Sequence, residues 1–122
     1  MNRTVILKHT LPDGSWHYDW LIQVKQDDAM PVITFRTGHR RPDEVGQFEA
    51  QQIGDHRAFY LDYQGPISEA RGEVIRVAAG EVVSAAISGA AFAFVMVFDD
   101  RKLEYAGVPI GQGRWSVTVT SG

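Results

Sequence analysis

The side chains able to do chemistry in this chain are few. They are His9, the run His17-Tyr18-Asp19, and His56 with Tyr60 four residues later. In an extended strand, side chains two positions apart share a face. If the run is a strand, His17 and Asp19 therefore point one way and Tyr18 and Trp20 the other. Neutral imidazole together with carboxylate suits a first-row divalent cation. Three of the four histidines thus fall into one candidate site. Each residue also has a plainer reading. His9 is then a hydrogen-bonded histidine at a strand end, His17 and Asp19 are ordinary polar strand residues, and His56 with Tyr60 is a packing pair.

The elements that must position these residues read as many short strands. Runs 4–8, 17–25, 31–37, 58–63, 91–98 and 114–120 are β-branched, aromatic or alternating. Runs 73–78 and 81–87 flank Ala79-Gly80, which predicts a hairpin turn. Leu11-Pro12-Asp13-Gly14 is the clearest turn signal. Pro42 to Gln52 is the best helix candidate, with Pro42 at a first helical position and Gly46 against it. Gly107 to Gly113 matches no phosphate-loop motif and reads as a loop. The expectation is a single domain, residues 1–122, mainly β: a small closed β-barrel with one or two short helices.

Composition bounds the chemistry further. The chain has 122 residues, enough to bury roughly two-thirds of its unfolded surface. It has no cysteine, which excludes disulfides, thiolate metal ligands and a cysteine nucleophile. With no leader-like segment and no apolar run long enough to span a bilayer, the expected location is cytoplasmic, with no membrane partner. The net charge is −3, from 12 basic and 15 acidic residues. A general nucleic-acid coat is basic, so any such contact here must be local. Basic residues cluster at Arg36, His39, Arg40 and Arg41, either as a solvated loop or as one facing phosphate.

Lys8-His9, His17-Tyr18-Asp19-Trp20, Asp55-His56 with Tyr60 and Tyr63-Gln64-Gly65, and Gly113-Arg114-Trp115 appear in that order. In this the chain resembles the 3'-phosphoesterase domain of bacterial DNA ligase D, over nearly its whole length. The resemblance implies a small β-barrel and a divalent-metal site, most often manganese. It implies an enzyme that trims 3'-terminal ribonucleotides and removes 3'-phosphates from DNA ends during repair by non-homologous end joining. Carried over, His9, His17 and Asp19 are metal ligands, while His56 and Tyr60 contact the scissile phosphate. His56 is also a general acid toward the leaving oxygen. Polymerase and ligase activities would come from separate proteins.

The chain departs from the family pattern in three ways. Leu21 and Phe48 stand where the family carries phosphate-binding arginines, and neither can bind phosphate bidentately. Arg36, Arg40, Arg57 and Arg71 are the candidate replacements. Strand alternation would turn Arg57 away from His56. The loop between His9 and His17 is two residues longer than the family's. A working phosphoesterase, a catalytically impaired module that binds nucleic-acid ends or a repair protein, and a metal-binding barrel acting on another phosphorylated substrate all remain open.

Overall fold

The computed structural model describes residues 2–27 and 29–122. Its strands, among the described residues, are β1 (Asn2–Thr10), β2 (Trp16–Ile22), β3 (Val32–Arg36), β4 (Gly46–His56), β5 (Gly65–Pro66), β6 (Glu73–Ile87), β7 (Phe92–Phe98), β8 (Arg101–Gly111) and β9 (Arg114–Ser121). They form one antiparallel sheet in the order β1-β2-β3-β4-β9-β8-β7-β6-β5. β1 also pairs with β6, so eight of the strands make a ring.

β6 closes that ring. It pairs with β1 through Glu73 to Val82 and with β7 through Gly80 to Ile87. The turn expected at Ala79-Gly80 is therefore absent, and one strand runs through. Gly80 has a different role: a Cβ there would lie 2.6 Å from the Val97 carbonyl oxygen, so glycine lets β7 approach.

Three other expectations are corrected. The helix over 42–52 does not form. Residues 42–45 turn, and β4 follows with Phe48 and Ala50 buried between exposed Gln47 and Glu49. Pairing with β9 over Gly46 to Gln51 and with β3 from Gln51 onward takes up this backbone, and burial has the period of a strand. The expected strand at 58–63 is instead a 3-10 turn, Ala58–Leu61. Its two buried residues lie three apart, which matches the period of that turn. It is the only helical element among the described residues, so the one or two short helices expected are not found. Finally, 107–111 continues β8 rather than forming a loop, with Leu103, Tyr105 and Gly107 buried in alternation.

The sheet buries apolar side chains on both faces near β1 and β2. Inside the ring, Ile6, Trp20, Ile22 and Phe35 pack with Phe92, Phe94, Met96, Tyr105 and Val117. Outside it, Val5, Leu7, Leu21, Val32 and Val74 pack under Ala58 and Leu61. The Trp20 indole N–H donates to the Thr4 hydroxyl, which donates to the Leu21 carbonyl. No helix among the described residues is long and apolar enough to cross a membrane.

One end of the interior is tied down by residues 40–43. The Tyr105 hydroxyl donates to the Pro42 carbonyl, and Arg40 lies over the Phe48 ring. The buried Asp43 carboxylate accepts from Arg41 Nε and Nη2 at 2.9 and 2.8 Å and from Arg101 Nη2 at 3.3 Å. Burial alone would raise the Asp43 pKa, but the Arg41 hydrogen bonds and charge outweigh it and hold it below 3.8. With the folded-state value depressed, the clamp stabilises the fold above pH 3.8 and is lost as pH falls below it. Asp43→Asn should lower unfolding free energy by about 1–3 kcal/mol at neutral pH. In urea melts the difference from wild type should shrink as pH falls below 3.8.

Candidate metal centre

β1 and β2 pair so that His9 stands opposite His17 and Leu7 opposite Asp19. A tight turn follows β1, where Gly14 N–H donates to the Leu11 carbonyl and Leu11 N–H to the Ser15 carbonyl. The two histidines therefore keep direct register. Alternation sends His9, Leu7 and Val5 to the outer face of β1, and His17, Asp19 and Leu21 to the outer face of β2. The site is on the outer wall of the ring, continuous with the outer apolar cluster.

His9 Nε2–H donates to the Arg71 carbonyl at 2.8 Å, which leaves the Nδ1 lone pair 3.6 Å from Asp19 Oδ2. Orientation of an imidazole by a carbonyl on its other nitrogen is typical of metal-ligating histidines. Glycine at position 72 makes that contact possible. Its φ is 91°, and a Cβ would sit 1.9 Å from the Thr10 carbonyl oxygen. The 71–72 backbone can thus lie against the end of β1.

His17 Nε2 and Asp19 Oδ1 face each other at 3.3 Å. Both atoms are buried, and neither makes a hydrogen bond. Burial pushes the His17 pKa below 6.5; Asp19 opposes this, while Arg36 and His9 add to it. A neutral His17 with Nε2 unprotonated makes the contact one of two acceptors, which a shared cation resolves. The ligand atoms of His9, His17 and Asp19 all lie within 4.8 Å of one another, and the group could hold a metal ion. Two imidazole nitrogens and a carboxylate fit a first-row divalent cation.

A cleft of about 360 Å3 opens beside these ligands. His9 and Asp19 line it together with Asp55, His56, Arg57, Tyr60 and Arg71, over an apolar base of Leu7, Ile67 and Val74. The structure thus brings His56 and Tyr60 into one cleft with His9 and Asp19. The His56 and Tyr60 rings meet edge-on at 5.6 Å, and His56 Nδ1–H donates to the Gly54 carbonyl at 3.1 Å.

The candidate arginines separate cleanly. Arg57 shares the cleft with His56, contrary to the alternation expected, because β4 ends at His56 and Arg57 already precedes the 3-10 turn. Arg71 lines the cleft too, its guanidinium braced by the Ser68 carbonyl and hydroxyl. Arg36 stands opposite Asp19 on β3, with Nε 3.7 Å from Asp19 Oδ1. Arg40 is committed elsewhere, donating to the carbonyls of Arg41, Glu44 and Val45. His39 stacks on Trp16 at 4.0 Å, in the loop after β3.

Neither departure empties this cleft of cations. Phe48 lies in the interior cluster on the other face of the sheet, so no side chain at position 48 reaches the outer site from that orientation. Leu21 shares the outer face with Asp19 as expected, but it is wholly buried beneath Ala58 and Leu61. Sequence reasoning named Arg36 only as one of four candidates, since its nearness to Asp19 depends on strand register rather than on any local pattern. Neither a protein-family model nor a curated protein sequence matches the chain.

Manganese or zinc should raise the melting temperature of the wild-type protein, and His17→Ala should abolish the shift in thermal-melt titrations. At a free metal concentration of 100 times Kd the expected stabilisation is about 2.7 kcal/mol. Because the His17 pKa is depressed, the unfolded chain binds more protons as pH falls below 6.5, and the metal-free protein should lose stability there.

Proposed function

We propose that the chain is a metal-dependent phosphoesterase acting on 3' ends of DNA or of RNA-terminated DNA. The observation that carries this reading is one cleft in which His9 and Asp19, two members of the His9-His17-Asp19 ligand set, face His56 and the guanidinium-bearing Arg57 and Arg71. A metal site beside positive side chains suits an anionic substrate whose charge must be neutralised during reaction. The 3'-end substrate, manganese as the metal and the closed β-barrel of the DNA ligase D family come from the motif order in the sequence. So do the link to end joining with separate ligase or polymerase proteins, and a cytoplasmic location.

His9, His17 and Asp19 would hold the cation, which would supply Lewis acidity and activate water as a nucleophile. Arg71 orients His9 through its carbonyl and contributes its guanidinium to the cleft. Arg57 offers a second guanidinium for a phosphate oxygen. Arg36, with Nε 3.7 Å from Asp19 Oδ1, adds a further positive charge beside the ligand set. Tyr60 packs on His56 and fixes its ring. With Nδ1–H engaged by the Gly54 carbonyl, a doubly protonated His56 would give its Nε2 proton to the leaving oxygen and return to the neutral Nδ1–H tautomer.

With manganese and a primer-template ending in a 3'-phosphate or a single 3'-ribonucleotide, the protein should release phosphate or a nucleoside product. His17→Ala should abolish release, and Arg36→Ala should lower kcat/KM about 10- to 100-fold, as loss of a charge-assisted contact does. No release by wild-type protein that binds manganese would sink the enzyme reading and leave the binding module in its place.

A further inference from the structure

Arg57 is shared between the metal cleft and a second cleft of about 350 Å3, lined otherwise by Ala29, Met30, Pro31, Ala58 and Phe59. Phe59 leaves 53 % of its surface open and Met30 44 %. The 3-10 turn explains the direction of Phe59 but not its type. The turn buries Ala58 and Leu61, which sends residue 59 outward, and a polar side chain would serve the turn equally well. The exposed ring is instead built into an aromatic shelf. Tyr63 lies against it at 4.9 Å with a 30° tilt, Tyr60 meets it edge-on at 5.2 Å, and the Arg57 guanidinium carbon is 5.5 Å from its centre.

We propose that this second cleft binds the nucleobase of the terminal nucleotide whose phosphate lies in the metal cleft. Phe59 is the stacking surface, and Arg57 spans base and phosphate. This rests on the phosphoesterase reading and adds to it the part of the substrate that the metal cleft does not hold. An exposed phenyl ring beside a guanidinium suits a flat aromatic group. Because the same arginine also faces the metal cleft, the occupant must carry that ring close to an anion, as a nucleotide does. Apart from Arg57, whose guanidinium is given to stacking and to the phosphate, the side chains lining this cleft have no conventional hydrogen-bond donors or acceptors that could read a base edge. The subsite therefore tolerates any base, with affinity following stacking area.

The test is equilibrium binding, which needs no turnover. The probes are two single-stranded oligonucleotides with 3'-phosphates, one ending in 2-aminopurine and one ending in an abasic sugar, each with manganese present. Wild-type protein should bind the base-ended strand at least about tenfold more tightly and quench the 2-aminopurine fluorescence. Phe59→Ala should bring its affinity down to that of the abasic end, and Phe59→Tyr should restore the difference. Equal affinity of wild type for both ends overturns the proposal. So does an equal loss for both ends in Phe59→Ala, which would make the ring structural, and so does no binding of either end. Base preference without product release would keep the subsite and remove the phosphoesterase reading. Product release without base preference would do the reverse.

Discussion

β1 is bonded along both edges, to β2 and to β6, and carries apolar side chains on both faces. Everything distinctive about this molecule depends on that double embedding. A strand paired on two sides cannot slip by one residue without exchanging its inner and outer side chains. Ile6 inside and Val5 with Leu7 outside lock the register from both directions. His9 inherits its direction from Leu7, two residues earlier, and its partner His17 from the hairpin. The residues that could hold a metal are thus carried by two paired strands, one of which closes the ring.

That fixed register bears on the electrostatics. Asp19 and His17 are almost wholly buried, and burying a carboxylate without partners is costly. Asp19 has His9, His17 and Arg36 around it, all at ion-pair distances rather than in close hydrogen bonds. The gap is consistent with a site organised for something other than a permanent salt bridge. Asp43 at the end of the ring is the contrast. It too is buried, but Arg41 satisfies both of its oxygens with hydrogen bonds of 2.9 and 2.8 Å, and Arg101 adds a longer one. One carboxylate is satisfied by its own chain and serves the fold. The other is left with acceptor capacity and faces a cleft.

Much of this was legible from residue types. The alternation in 17–25 separated His17 and Asp19 from Tyr18 and Trp20, and the structure keeps that separation. The turn at Pro12-Asp13-Gly14 was readable because each residue favours a tight reversal. What failed was any inference needing a distant partner. Gly80 looked like a turn because close approach of Val97 and Phe98 is invisible locally. The helix over 42–52 lost to pairing with two strands, one of them more than sixty residues away in sequence. β8 was half hidden because Gly107, on its inner face, gives no apolar signal, the space being taken by the Phe92 ring.

The same distinction explains why the site looked depleted of arginine. Motif reading ties a cation to a fixed offset along one strand, so Leu21 registered as a loss. In an antiparallel sheet the neighbour of Asp19 is as much Arg36, directly across on β3, as it is any residue two positions along β2. Arg57 and Arg71 come from still further away, one at the end of β4 and one from the loop before β6. A cleft assembled from four separate segments can exchange the source of its positive charge while its ligand strands stay fixed. Leu21 is then free to serve the outer apolar cluster, which supports Ala58 and Leu61 and, through that turn, aims Arg57 and Phe59.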